Sequence, residues 1–374
     1  MRAAEVMSGI RAQVDAGRVP GAIVGVRHGG RTTVEAAGAT GPGGDPLRAD
    51  AVVRISSNTK PVVAALALRL VQDGLLALHD PVERFLPALA DRRVLRAIDG
   101  PPEDTVPAER AVTVEDLLSM RMGFGWVWES DCPTVERATG LGLGFGPPDP
   151  TGPPAPDEWV ARFATLPLLE QPGAVWRYEM SFAVLGAVLA RAAGQPLDVV
   201  LAERLCGPLG MVDTGFVADP ARLVPSYARD GDALTVFDGA SDSRWLAPPA
   251  FPDARGGLVS TAADLLRFAG MLLDDGAGLL TPASVAAMTT DRLTPEQRGG
   301  PSAATFLDSG GWGYGVGVVE TPVGRRYGWA GGLGTLWYSW PGHDLAAVLL
   351  TQVLPPDAEV FGAFTTTIQD ALSR

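Results

Sequence analysis

Near the N-terminus, apolar residues recur at the spacing of one helix face and predict an amphipathic helix over about residues 3–17. The apolar run 22–27 then reads as a strand. Residues 28–31 read as a turn and 32–36 as the hairpin partner. Residues 51–55 predict another strand, leading into a long helix from about 57 to 73 that Asp73 and Gly74 close. Between 61 and about 220 the patterning is mainly helical, with helices expected over 114–120, 158–165, 182–193 and 197–205. Residues 140–156 are dense in Gly and Pro and lack helical period, so a long loop is expected there. A helix over 262–273 precedes alternating strands at 314–319, 325–329, 336–340 and 345–350, and a last helix covers about 358–372.

Strands at both ends of the chain with helices between them predict an α+β fold. One antiparallel sheet is built from the two termini, and the terminal helices cover one of its faces. The implied division is residues 1–60 with 221–374 as the unit carrying the sheet, and 61–220 as an inserted, mainly helical unit. The active site is then expected in the cleft between them.

Composition narrows the function. The chain of 374 residues has 43 acidic and 30 basic side chains and a net charge of −13. That balance excludes nucleic acid and an anionic membrane surface as expected partners, because both need clustered basic residues. With two cysteines and three scattered histidines (His28, His79, His343), neither a disulfide framework nor a metal site is expected. No cofactor is implied. The first residues lack the layout of a signal peptide, and no apolar stretch reaches the roughly 18 residues of a membrane span. A cytoplasmic protein is the expectation, and the sequence carries no sign of oligomeric state.

Of the basic residues 29 are Arg and one, Lys60, is Lys. It lies in Ser57-Asn58-Thr59-Lys60, where a strand gives way to a helix. Positions i and i+3 share a helix face, so the Lys60 amine can reach the Ser57 hydroxyl. The helix N-terminus favours negative charge, and the Ser57 N–H is free to bind an oxyanion. A guanidinium does not give up its proton, whereas a lysine in apolar surroundings or beside another cation can. Taken alone, the lysine also fits a solvated helix-end role. Tyr178, at a turn before a helical run, and the glycine-rich turn around Trp329, Ala330, Gly331 and Gly332 are candidates for a further proton carrier and a second oxyanion donor. Without Ser57 and Lys60 they would read as a buried tyrosine and a bulged hairpin.

These motifs, in this order, resemble the serine β-lactamase-like superfamily, most closely class C β-lactamases and family VIII carboxylesterases. The resemblance runs through residues 55–87, 113–118 and 256–264 with Phe268, to the Trp329 turn. It implies a β-lactamase/transpeptidase-like fold, Ser57 as acylated nucleophile, and Lys60 and Tyr178 sharing base and acid work. Ser57 and Gly332 would form the oxyanion hole. Trp329-Ala330-Gly331 stands where many members carry Lys-Thr-Gly, and Met180, followed by Ser181, stands at the Asn position of Tyr-x-Asn. Both departures remove polar anchors that a β-lactam or peptide terminus would need.

Phe124, Trp126 and Trp128 read either as core or as the lining of an acyl or alcohol pocket. No G-x-S-x-G occurs, so a nucleophile-elbow hydrolase is disfavoured. The glycines of 140–146 follow no strand, which argues against a dinucleotide loop. The expected activity is hydrolysis of short-chain or aromatic carboxylic esters, with a small-molecule ester or acyl compound as partner. Acyl transfer or thioesterase/cyclase chemistry at the same acyl-enzyme, a β-lactamase or D-peptidase, and a catalytically silent binding protein are the alternatives.

Overall fold

The computed structural model describes residues 1–231, 233–307 and 310–374. Its centre is a seven-stranded antiparallel sheet in the spatial order Arg31–Gly38, Gly21–His28, Leu345–Leu350, Thr335–Trp340, Gly324–Gly331, Gly317–Thr321 and Gly311–Trp312. The first two strands come from the N-terminus and the other five from the C-terminal part of the chain. Ile23 pairs with Leu350 and His28 with Leu345, so the two ends of the chain meet within the sheet, between its second and third strands.

Side chains alternate across each strand, and the two faces bury different cores. Ala22, Val24, Val26, Leu345, Ala347 and Leu349 pack with Val6, Ile10, Phe364 and Ile368, from the terminal helices Ala3–Asp15 and Ala358–Leu372. Ile23, Ala346, Val348 and Leu350 face the larger core, which includes the helices Ala262–Leu273, Thr59–Gln72 and Ser181–Ala193. The segment between residues 61 and 220 is mainly helical, with one short antiparallel pair, Arg93–Leu95 with Thr105–Pro107. No single helix among the described residues is long and apolar enough to cross a membrane.

Several expectations shift. The strand expected at 51–55 is reduced to Val53–Arg54 and lies outside the main sheet, paired with Val259–Ser260. The strand expected at 314–319 runs over Gly317–Thr321 instead. The first helix ends at Asp15, and the helix expected over 197–205 keeps α geometry only through Leu201 before its turns widen. The pattern gave no sign of the hairpin Ser226–Asp230 with Ala233–Asp238, or of helices Pro133–Gly140, Pro282–Met288 and Pro301–Phe306. All three helices begin at proline, whose fixed φ and absent N–H suit a first turn. Each is too short for a 3.6-residue period to show.

Candidate active site

Ser57 sits in a single 3-10 turn, Ser56–Asn58, wedged between the strand Val53–Arg54 and the helix Thr59–Gln72. The residue before it, Ser56, has φ +49°, in the left-handed region that non-glycine residues seldom occupy. Such strain persists only when the surroundings over-determine it. Here Arg54 is fully buried, ion-paired to Asp238 and donating to the Val224 carbonyl at 2.6 Å. On the other side, Thr335 donates to the Ile55 carbonyl at 2.9 Å and accepts from the Asn58 amide at 3.0 Å. Thr59 accepts from the Leu258 N–H at 3.2 Å.

Lys60 is completely buried one turn further on. Its Nζ lies 2.9 Å from Ser57 Oγ, 2.7 Å from the Arg255 carbonyl and 3.3 Å from a Glu179 carboxylate oxygen, and 4.5 Å from the centre of the Tyr178 ring. Two of these partners, the carbonyl and the carboxylate, can only accept. An amine donating its two N–H bonds to them turns its lone pair toward the one partner able to donate, the Ser57 hydroxyl. The surroundings are therefore partly ionic, where the sequence suggested an apolar or cationic environment.

Tyr178 is held by aromatic packing. Its ring stacks on Phe306 at 4.2 Å and on Trp176 at 5.7 Å. Its hydroxyl accepts a hydrogen bond from the Trp329 indole N–H at 2.8 Å. Trp329 in turn meets Trp312 edge-on at 4.6 Å. Trp329 thus orients the Tyr178 hydroxyl. At Gly331 a Cβ would overlap the Thr335 hydroxyl and the Ile55 carbonyl, so only glycine lets this turn approach the segment leading into Ser57. A Cβ at Gly332 would lie 3.7 Å from Ser56 Oγ, which puts its backbone alongside the Ser56–Ser57 turn. Among the described residues, neither the Ser57 nor the Gly332 N–H donates to a turn or loop carbonyl.

The remaining expected residues divide. Trp126 and Trp128 stack on each other at 4.4 Å; Trp128 is 49% exposed and packs toward Phe306 at 6.1 Å, while Phe145 covers Trp126 at 5.8 Å. Together with Tyr178 they form an aromatic wall from the site to the surface. Phe124 is fully buried against Phe163 and belongs to the core. Met180 and Ser181 are also fully enclosed, with Met180 Sδ 3.9 Å from the Arg255 guanidinium; they lie behind the wall of the site, not on it. Ala330 follows strand alternation and points its side chain to the terminal-helix face.

Sequence reasoning missed Glu179, Arg255, Asp253 and Phe306. Arg255 forms a two-pronged pair with Asp253 and donates to the Gly144 carbonyl at 2.5 Å, which ties down the 140–156 segment next to Ser57. Burial disfavours charge on this guanidinium, but Asp253 and Glu179 more than offset it, and its pKa is raised. No sequence signal marks these residues, since Glu179, Arg255 and Phe306 acquire their places through contacts distant in the chain and Asp253 gains its meaning only through Arg255.

A strained serine turn under a mainly antiparallel sheet, with a buried lysine at i+3, places the protein in the class of serine hydrolases built on the β-lactamase-like fold. The chain belongs to the Beta-lactamase family, whose model matches residues 8–370. It is 38% identical over 329 residues to protein Rv1367c of Mycobacterium tuberculosis, covering 83% of this chain and 80% of that one. It is 32% identical over 353 residues to esterase EstB of Burkholderia gladioli, covering 88% and 84%. Among solved structures it is similar to EstCE1, described as a hydrolase with promiscuous acyltransferase activity. The TM-score is 0.82 at 26% identity, with 99% and 98% of the two chains covered.

Proposed function

We propose that this protein hydrolyses uncharged carboxylic esters with an apolar or aromatic acyl group through an acyl-Ser57 intermediate. The observation that carries this reading is the 2.9 Å approach of the buried Lys60 Nζ to Ser57 Oγ. Lys60 takes the Ser57 proton as Oγ attacks the ester carbonyl. The negative charge that develops on the carbonyl oxygen is met by the N–H groups of Ser57 and Gly332. Tyr178, held by Trp329, passes the proton from Lys60 to the departing alcohol, and water then releases the acid.

The aromatic wall of Tyr178, Phe306, Trp128 and Trp126 suits a flat or apolar acyl group. The β-lactam reading is weaker because Trp329 offers no charge to a substrate carboxylate, and Arg255 is already bound to Asp253. Acyl transfer to an alcohol is the second reading, favoured by the likeness to EstCE1. Residues 61–220 are proposed as the unit that supplies Tyr178, Trp126 and Trp128, opposite Ser57, Lys60 and Phe306 from the sheet-bearing unit.

Intact mass spectrometry after exposure to p-nitrophenyl butyrate tests the reading. The wild type is expected to gain one butyryl group and Ser57→Ala none. Ester turnover that persists in Ser57→Ala, or cephalosporin hydrolysis that far exceeds ester turnover, overturns it.

A further inference from the structure

Beside Ser57 lies a small cavity of about 20 Å³, bounded by Ser56, Ser57, Gly146, Pro148, Glu179, Asp253, Arg255 and Gly256. A single water needs roughly 10–15 Å³ of such space and two to four polar partners. The polar side chains of this wall are not equivalent. Asp253 and Arg255 satisfy each other. Glu179, only 6% exposed, gives one carboxylate oxygen to Lys60, while its other oxygen, Oε1, is buried and has no hydrogen-bond partner among the described residues. An unpaired buried carboxylate oxygen is costly and calls for a donor. Ser56 and Ser57 are the other residues of this wall with polar side chains.

We propose that Glu179 holds and deprotonates the water that releases the acyl group from Ser57. This inference rests on the acyl-serine reading above and assigns its second half-reaction. After acylation Lys60 is a neutral amine, its proton having left with the alcohol. A water in the cavity donates to Glu179 Oε1. As its oxygen bonds to the acyl carbon, the O–H bond breaks and the proton passes to the carboxylate. The bond between the acyl carbon and Ser57 Oγ then breaks. The Glu179 carboxyl then turns about its Cγ–Cδ bond to bring this proton to Lys60 Nζ, whose amine turns its lone pair to receive it, and Lys60 delivers a proton to Ser57 Oγ across the 2.9 Å contact. The product leaves as the carboxylic acid and both side chains are restored. Acylation needs no proton on Glu179, so the two half-reactions depend on this residue differently.

Rapid-mixing kinetics with p-nitrophenyl butyrate separate them. Glu179→Gln keeps an oxygen for Lys60 but cannot accept a proton. It is expected to release one equivalent of p-nitrophenolate at a rate within about threefold of wild type, and then to turn over at least about thirtyfold more slowly. Acyl-Ser57 accumulates in the mass spectrum. Hydroxylamine, which attacks without a base, restores turnover of the variant. Glu179→Asp keeps the charge one methylene further back and gives a smaller slowing of the same step, and it serves if the glutamine variant does not fold by circular dichroism. Equal slowing of both half-reactions, unchanged deacylation, or no rescue by hydroxylamine overturns the role of Glu179 while leaving acyl-Ser57 in place. Failure of the wild type to form any acyl adduct overturns both.

Discussion

Lys60 meets two acceptor-only groups and one hydroxyl, and the proposed reaction needs a side chain there that can present an open lone pair to Ser57. Arginine keeps the positive charge but cannot take the Ser57 proton, and its planar head has no room among Ser57, Glu179 and the Arg255 carbonyl. Lys60→Arg is therefore expected to lower kcat/KM for p-nitrophenyl butyrate by about a hundredfold or more; near-normal turnover would refute the role. Trp329 acts at one remove. Trp329→Phe keeps the ring against Trp312 and deletes only the donor to the Tyr178 hydroxyl, an interaction worth about 1 kcal/mol. A five- to tenfold loss of kcat/KM is expected, roughly that energy expressed as a rate, with an unchanged melting temperature. The Ser57–Lys60 pair was legible because i, i+3 spacing is local. Glu179 was not, since a single glutamate between a tyrosine and a methionine carries no pattern and gains its meaning only where the chain folds it against Lys60.

The strand–turn–helix element that presents Ser57 is short, and its strain must be carried by its anchors. Arg54 and Asp238 form the principal one, an almost fully buried pair also bonded to Ser243 and the Val224 carbonyl. Burial pushes the Asp238 carboxyl upward, but Ser243, Arg244 and Arg54 outweigh it and hold the folded pKa below its ordinary value near 3.8. Its contribution to stability is thus complete above pH of about 4 and is lost as pH falls through the lowered folded value. Asp238→Asn leaves Arg54 buried without its counter-charge and is expected to cost about 3–5 kcal/mol at neutral pH. In urea titrations the gap between variant and wild type should narrow as pH drops from about 6 to about 3; a gap independent of pH would contradict the assignment. The element was only half legible. The apolar run 51–55 reads as a strand of the main sheet, yet Arg54 inside it is pinned to the hairpin Ser226–Asp230 with Ala233–Asp238, which the pattern did not reveal. That hairpin alternates weakly, with most of its side chains partly or fully exposed, so little hydrophobic signal marks it.

At the scale of the molecule the sheet separates two tasks. Its inner strands were readable in advance because a strand buried on both faces is a continuous apolar run, and both terminal helices show a clear apolar stripe. One face carries the terminal helices and no residue of the site. The other carries Trp329 and the core that supports Lys60 and Tyr178. The contrast between Trp329 and Ala330, neighbours on one strand, marks the division. Phe364 lies at the heart of the terminal-helix core and is fully buried. Phe364→Ala removes a large apolar side chain without touching a polar group, and the cavity it leaves should cost about 3–5 kcal/mol of stability. A sheet that insulates the two faces confines that loss to folding, so kcat/KM per folded molecule is expected to stay within about twofold of wild type. Denaturant melts paired with active-site titration by mass spectrometry measure both quantities on one sample. A kcat/KM that falls in step with stability would show that the terminal helices set the position of Trp329 and Gly332 through the strand they cover.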